Sequence, residues 1–317
     1  MVAGLKRIST KGMEREEWLE HRRSSIGGSD AAGIVGLSQW ASPYSVWAEK
    51  TGRVPPQEDT EAMRQGRDLE DYVAKRWEEA TGGHVRRLPA ILRNPQYPFA
   101  HANIDRMVIG EDAGLECKTT STLNIKQFHG VDFPEKYYAQ CVHYLAVTGA
   151  ARWHLAVLVF GRGFFSFTLE RDEDEITALM AAEAAFWEGV KSDTPPALDG
   201  SDASTEALRM IFSEGNGDSV HLFGRDAVLS QYMALKAQQK ELDEQITQIE
   251  NTIKGDMGEA EYATCGLFNV SWKSQSRRTF QTKAFSSDHP EIDLTPYYKI
   301  TATRAFKVTE AALKEAV

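Results

Sequence analysis

The sequence is short of the features that mark a membrane protein, a secreted disulfide scaffold or a thiolate metal site. Its 317 residues include only three cysteines, Cys117, Cys141 and Cys265, widely spaced and never in a CxxC pair. That argues against a disulfide framework and against zinc or iron–sulfur ligation, and it suits a reduced, cytoplasmic compartment. No apolar run approaches the length that spans a bilayer, so no membrane partner is expected. The start, MVAGLKRISTKGMEREEW, lacks the apolar core of a signal peptide. Positive charge is also in deficit: 36 Lys and Arg face 46 Asp and Glu, for a formal net charge of −10. Such a chain repels nucleic acid at long range, so a role on nucleic acid needs local basic patches or metal ions. What is present, 42% hydrophobic and 26% charged residues, is the composition of a globular protein, here long enough for a main domain and an appendage.

Residues 10–23 read as a first helix with Thr10 as its cap. It runs into HRRSSIGGSDAAGIVGLSQW, where Gly27-Gly28 precede a short helix opened by Ser29-Asp30. Backbone N–H groups left free there, beside Arg22 and Arg23, make either an anion-binding corner or a capped loop with solvated arginines. Pro43 to Lys50 and Glu61 to Ala80 read as further helices, the second ended by Gly82-Gly83 and facing inward with Leu69, Val73, Trp77 and Ala80. Glu70 falls on the shoulder of that stripe. A desolvated carboxylate needs a partner, either a metal ion or an arginine.

Val85–Arg93, Phe99–Ile109 and Leu115–Thr119 read as strands. The helix Glu135–Val147 turns Tyr137, Cys141, Tyr144 and Leu145 inward, places Gln140 and Tyr144 one turn apart at the edge, and points His143 to solvent. Trp153–Phe160 and Phe164–Leu169 form a hairpin around Gly161-Arg162-Gly163, and Asp172 caps a helix reaching about Lys191. The order is that of a mixed α/β (α+β) domain with one central mixed sheet flanked by helices.

A linker-like stretch, SDTPPALDGSDAST, separates a main domain, 1–195, from a C-terminal region, 206–317. Val228, Leu235, Leu242 and Ile249 occupy one heptad position, and Tyr232, Gln239, Ile246 and Ile253 the other. That spells a long helix that pairs or packs along one stripe. Short strands or extended segments follow, Glu261–Lys273 and around Tyr297–Val308. Residues 271–283, SWKSQSRRTFQTK, interleave Lys273, Arg277, Arg278 and Lys283 with Trp272 and Phe280. They form either a nucleic-acid-binding patch or a solvated basic strand.

The stretch HANIDRMVIGEDAGLECK, residues 101–118, is the chemical centre of the chain. Strand alternation points Glu116 and Lys118 the same way, and Asp105 returns to them across a turn carrying Gly110 and Gly114. Two carboxylates and an ammonium converging at a hairpin are either a divalent-metal site with a lysine beside it or a cross-strand salt bridge.

Five features follow one another in order: R-x-x-x-I-G-G-S from Arg22 to Ser29, G-x-x-x-E from Gly66 to Glu70, Asp105, E-C-K from Glu116 to Lys118, and Q-x-x-x-Y from Gln140 to Tyr144. Over about residues 15–190 they resemble the lambda-exonuclease/YqaJ-type viral recombinase family of the PD-(D/E)xK nuclease superfamily. The resemblance implies a PD-(D/E)xK core and a metal-dependent DNA exonuclease. Family members of that kind work 5′→3′ on linear duplex ends, yielding mononucleotides and 3′ single-stranded overhangs for recombination by single-strand annealing. An endonuclease of the same superfamily and a non-catalytic DNA-end-binding protein are the alternatives.

By the same resemblance Asp105, Glu116 and Glu70, with the backbone carbonyl of Cys117, hold one or two Mg²⁺ ions, with Mn²⁺ as substitute. Lys118 activates or positions the attacking water, with Gln140 beside it and Tyr144 supporting. Arg22 and Ser29 form the pocket for a terminal 5′-phosphate. The partners implied are double-stranded DNA ends, a single-strand annealing protein and further copies of the chain in a homo-oligomer, typically a trimeric ring. Ile104 stands where the superfamily name writes proline.

Overall fold

Short apolar runs alternate with glycine- and proline-marked breaks, and the chain folds into helices and strands in turn. The computed structural model describes residues 2, 4–56, 58–121, 133–299 and 303–309. β1 (Lys6–Ser9) leads to α1 (Arg15–Arg23), and β2 (Ile26–Gly27) runs straight into α2 (Gly28–Ile34). α3 (Pro43–Lys50) starts at Ser42, whose hydroxyl accepts from the Ser45 amide, and α4 (Glu61–Thr81) stops at Gly82 in the left-handed region. Five strands come next: β3 (Val85–Arg87), β4 (Ala90–Arg93), β5 (Ala100–Asn103), β6 (Arg106–Val108) and β7 (Ala113–Thr120). α5 (Glu135–Thr148), the hairpin of β8 (Arg152–Val159) and β9 (Gly163–Glu170), α6 (Glu173–Lys191) and α7 (Asp202–Ile211) complete this unit, which runs to Ser213.

The mixed α/β architecture is as expected, but it holds two sheets where one was expected. One has the order β3-β6-β7-β8-β9, with β7 and β8 parallel and the other pairs antiparallel. The other has the order β1-β4-β5-β2. The strand expected over Phe99–Ile109 therefore breaks at Ile104-Asp105: β5 belongs to one sheet and β6 to the other. Residues 6–9 pair with β4, so the first helix starts at Arg15 and Thr10 donates its amide to the Pro89 carbonyl instead of capping.

The pleat sorts the five-stranded sheet into two faces. Ala113, Leu115 and Ala156 pack on Val73 and Trp77 of α4. The opposite face carries Gly114, Glu116, Lys118 and Trp153 toward α5. Gly114 is required there, because a Cβ would lie 2.2 Å from the Trp153 ring. α5 is buried on every side from Ala139 to Thr148, packed against both sheets and against α2 and α6. His143 is accordingly not exposed, contrary to the amphipathic reading, since this helix has no wet face. Its Nδ1 meets Glu183 at 2.8 Å and its Nε2 meets the His101 carbonyl at 2.9 Å.

The boundary expected near 195 lies later. Ala207 of α7 buries against Tyr44 and Trp47, and Ser204 Oγ donates to Ser42 Oγ at 2.8 Å, which ties this segment to α3. The second unit, Glu214–Val317, holds α8 (Asp226–Met257), the antiparallel hairpin of β10 (Tyr262–Cys265) and β11 (Phe268–Ser271), and α9 (Thr282–Asp288). The heptad stripe is helical as expected. Val228, Leu235, Leu242, Ile246 and Ile249 are each 53–61% exposed along it. The extended segment expected around Tyr297–Val308 begins as a single 3-10 turn, Thr295–Tyr297, and lies partly outside the described residues.

Candidate active site

Asp105 sits at the crossing between the two sheets, just before β6, and its Oδ2 accepts the Cys117 amide of β7 at 2.8 Å. Two residues of alternation then bring Glu116 and Lys118 to the same face, where Lys118 Nζ meets Glu116 Oε1 at 2.6 Å. Gln140 of α5 donates its amide to the same oxygen at 2.8 Å and to the Tyr144 hydroxyl at 2.8 Å. Tyr144 in turn donates to the Asn103 carbonyl at 2.9 Å. Lys118, Glu116, Gln140 and Tyr144 are thus joined side chain to side chain, and Asp105 is tied to the same strand through the Cys117 amide.

Glu116 is 3% exposed, whereas the Lys118 side chain keeps 27% exposure, so the network opens to solvent at the ammonium. Burial pushes the Asp105 carboxyl well above the usual range, and the charges of Glu116 and Glu70 push it further. Burial works against the Lys118 ammonium, but Glu116 and Asp105 outweigh it and hold Lys118 charged above its ordinary value.

A second cluster forms at the start of α2. Arg22 Nη2 lies 3.3 Å from Ser29 Oγ and 3.6 Å from Asp30 Oδ1. Asp30 also accepts the Gly27 amide at 2.8 Å and the Lys50 ammonium at 2.5 Å, and Lys50 donates to the Arg22 carbonyl at 2.8 Å. The Arg22 guanidinium lies over the Trp18 ring, in a groove that Arg15, Met63 and Arg67 also line. Sequence reasoning does not assign Asp30 and Lys50 to this corner. Asp30 reads as a helix cap, and nothing local marks Lys50, whose partners lie 20 and 28 residues away.

The two clusters meet at Gly28. A Cβ on it would lie 2.5 Å from Tyr144 Cε1 and 3.2 Å from Gln140 Cγ, so α2 touches α5 where the carboxylate network is anchored. Gly28→Ala is expected to destabilise the protein by about 1–3 kcal/mol through overpacking, read as a lower urea midpoint. An unchanged midpoint would contradict this packing.

Glu70 is the exception among the residues singled out. Its partner is Arg106, a 4%-exposed guanidinium that also donates to the Asp105 carbonyl at 2.7 Å and to Asp71 at 2.6 Å. The reason is the pleat: Arg106, next to Asp105, points to the α4 face where Glu70 resides. The structure pairs this glutamate with an arginine, one of the two partners left open for it. Cys117 takes part through its amide.

The donor set fits a hard divalent cation. Asp105 and Glu116 offer carboxylates of mutually unfavourable charge, and Glu116 Oε2 is buried without a hydrogen-bond partner among the described residues. Such an orphaned carboxylate oxygen is costly unless a cation meets it. Among the described residues no group of three or more His, Cys, Asp or Glu side chains is arranged to hold an ion, in keeping with the engagement of Glu70 by Arg106.

Comparisons with known proteins agree with the resemblance to a recombinase family. Residues 17–151 match the family described as the YqaJ-like viral recombinase domain. The chain is 40% identical over 309 residues to an uncharacterized protein YqaJ of Bacillus subtilis (strain 168), covering 95% of this chain and 96% of that protein. Among solved structures it is similar to an alkaline exonuclease from Laribacter hongkongensis, at 20% identity and a TM-score of 0.48, over 56% of this chain and 94% of that one. A phage related exonuclease from Haemophilus somnus 129PT is similar at 12% identity and a TM-score of 0.42, over 56% of this chain and 99% of that one. Identity of 40% across almost the whole length, with a matched family domain over the residues that build the network, places the chain: it belongs to the YqaJ-like viral recombinase family.

Proposed function

We propose that this protein is a metal-dependent nuclease that degrades linear duplex DNA from its 5′ ends, leaving 3′ single-stranded overhangs for recombination by strand annealing. One observation carries the reading: a lysine ammonium sits on the buried Glu116 carboxylate, whose second oxygen, Oε2, is orphaned, with the half-buried Asp105 carboxylate tied to the same strand through the Cys117 amide.

When bound, one or two Mg²⁺ ions, with Mn²⁺ as substitute, would neutralise the phosphate and acidify water at Asp105, Glu116 and the Cys117 carbonyl. Glu70 completes that acidic set only by exchanging Arg106 for the ion. Lys118 stabilises charge building on the phosphate and orients the attacking water. Gln140 fixes the rotamer of Glu116, and Tyr144 fixes Gln140 by anchoring on the Asn103 carbonyl.

Arg22 and Ser29 hold the terminal 5′-phosphate. Arg22 suits this because a guanidinium takes a phosphate bidentately and is already oriented by Asp30. The exposed stripe of α8 supports assembly with further copies, a trimer in this reading, and the single strand produced is passed to an annealing protein.

The test is digestion of linear duplex carrying 5′-phosphate or 5′-hydroxyl ends, with closed circular duplex alongside, in Mg²⁺. Expected are loss of the linear duplex, a preference for 5′-phosphate, and an intact circle. Cleavage of the circle would favour an endonuclease, and degradation from 3′ ends would refute the polarity.

A further inference from the structure

The second unit contains a stretch whose charge opposes that of the chain as a whole. From Tyr262 to Lys283 there are four cationic side chains and no carboxylate, in a protein of net charge −10. The nearest acidic residues in sequence are Glu261 and Asp288.

The stretch starts in the β10–β11 hairpin, which the Trp272 amide prolongs by donating to the Glu261 carbonyl at 2.9 Å. Residues 272–281 then form neither helix nor strand, and every side chain from Ser271 to Gln281 is exposed. Arg277, Arg278 and Lys283 make no ion pair among the described residues. Lys273 sits over the Tyr262 ring at 4.7 Å. Trp272 is 47% and Phe280 63% exposed. Phe280 meets the Phe285 ring at 5.0 Å yet stays largely exposed, and large rings open to water beside cations are unfavourable for a region that serves packing alone.

We infer that the strip from Trp272 to Lys283 is a binding surface for single-stranded DNA. Lys273, Arg277 and Arg278 on the irregular stretch, with Lys283 at the start of α9, neutralise neighbouring phosphates, which attracts a polyanion against the acidic background. Trp272 and Phe280 offer ring faces on which unpaired bases stack, an interaction open to every base and closed to bases still paired within a duplex. A duplex groove reader would instead present a helix or a regular ribbon to base edges, and residues 272–281 form neither. The inference rests on the nuclease reading only for the source of the strand, the 3′ overhang left by 5′-end degradation.

The experiment uses the full-length chain in EDTA, so that no hydrolysis occurs, with a fluorescein-labelled dT oligomer of about 20 nucleotides, read by anisotropy over a salt series. Wild-type protein is expected to bind dT more tightly than a duplex of equal length, with affinity falling as salt rises. Arg277→Glu combined with Arg278→Glu should lower the affinity at least about ten-fold and flatten the salt dependence. Trp272→Ala and Phe280→Ala should each lower it about five-fold or more. These positions are exposed, so thermal unfolding should not move.

Wild-type affinity for dT in all three variants overturns the inference and leaves the strip to a protein partner. Binding confined to duplex overturns it as well. Digestion of linear duplex in Mg²⁺ separates the two readings: hydrolysis without dT binding refutes the strand surface alone. Strip-dependent dT binding by a protein that hydrolyses nothing refutes the nuclease and leaves the surface standing.

Discussion

Lys118→Met is expected to lower hydrolysis of linear duplex DNA by at least about 10²–10³-fold while leaving duplex binding nearly intact. Among the described residues the ammonium is the one cation held directly on the Glu116 carboxylate, at 2.6 Å, and it faces the open side of the network. Methionine keeps most of the side-chain volume and removes the charge, so the deficit falls on charge stabilisation and water orientation and not on packing. Lys118→Arg should fail to restore the rate, because a planar fork cannot replace a compact point charge on a single carboxylate oxygen. Single-turnover rates in Mg²⁺, with filter binding in EDTA, separate chemistry from affinity. A Lys118→Met protein within ten-fold of wild type would remove lysine from the mechanism.

Asp30→Asn is expected to cost about 3–5 kcal/mol of stability, the largest effect outside the floor of the site. Asp30 is 6% exposed and is the common partner of Lys50, Arg22 and the Gly27 amide, while the Lys50 side chain is wholly buried. Removing the carboxylate charge leaves a buried ammonium uncompensated. Burial, the largest influence on Asp30, raises its pKa, but Lys50, Arg22 and the hydrogen bonds outweigh it and bring it from 3.8 down to about 2.

A depressed carboxylate pKa stabilises the fold above the unfolded value and loses that contribution as pH falls toward the folded value. Asp30 thus contributes on the order of 2 kcal/mol at neutral pH, lost between about pH 4 and pH 2. Urea midpoints should show this acid limb in the wild type and a flatter one in Asp30→Asn. The variant should also lose its preference for 5′-phosphorylated ends, because Arg22 is no longer held. A variant as stable as wild type at pH 7 would show that Lys50 finds another partner.

Much of the site is legible in the sequence because its geometry is local. Glu116 and Lys118 share a face through strand alternation, Gln140 and Tyr144 through one helical turn, and Arg22 and Ser29 flank one glycine corner. Where the pattern misleads, the physical origin is the same: periodicity rules assume one wet face. α5 has none, so His143, which its spacing points to solvent, lies in the core against Glu183. Glu70 lies on the shoulder of its helix as expected, but its partner depends on which way Arg106 points from the next sheet.

Composition, element order and heptad spacing determined by themselves the α/β class and the long C-terminal helix, while five short motifs carried a resemblance to a recombinase family that the 40% identical relative then showed. Periodicity and residue chemistry carry those features along the chain. Only the tertiary structure decided that there are two sheets, that Asp105 stands at the crossing between them, and that Asp30, Lys50 and Arg106 hold the corners of the site. Those assignments depend on side chains brought together from distant positions by burial, where a charge must find a partner or not be buried at all.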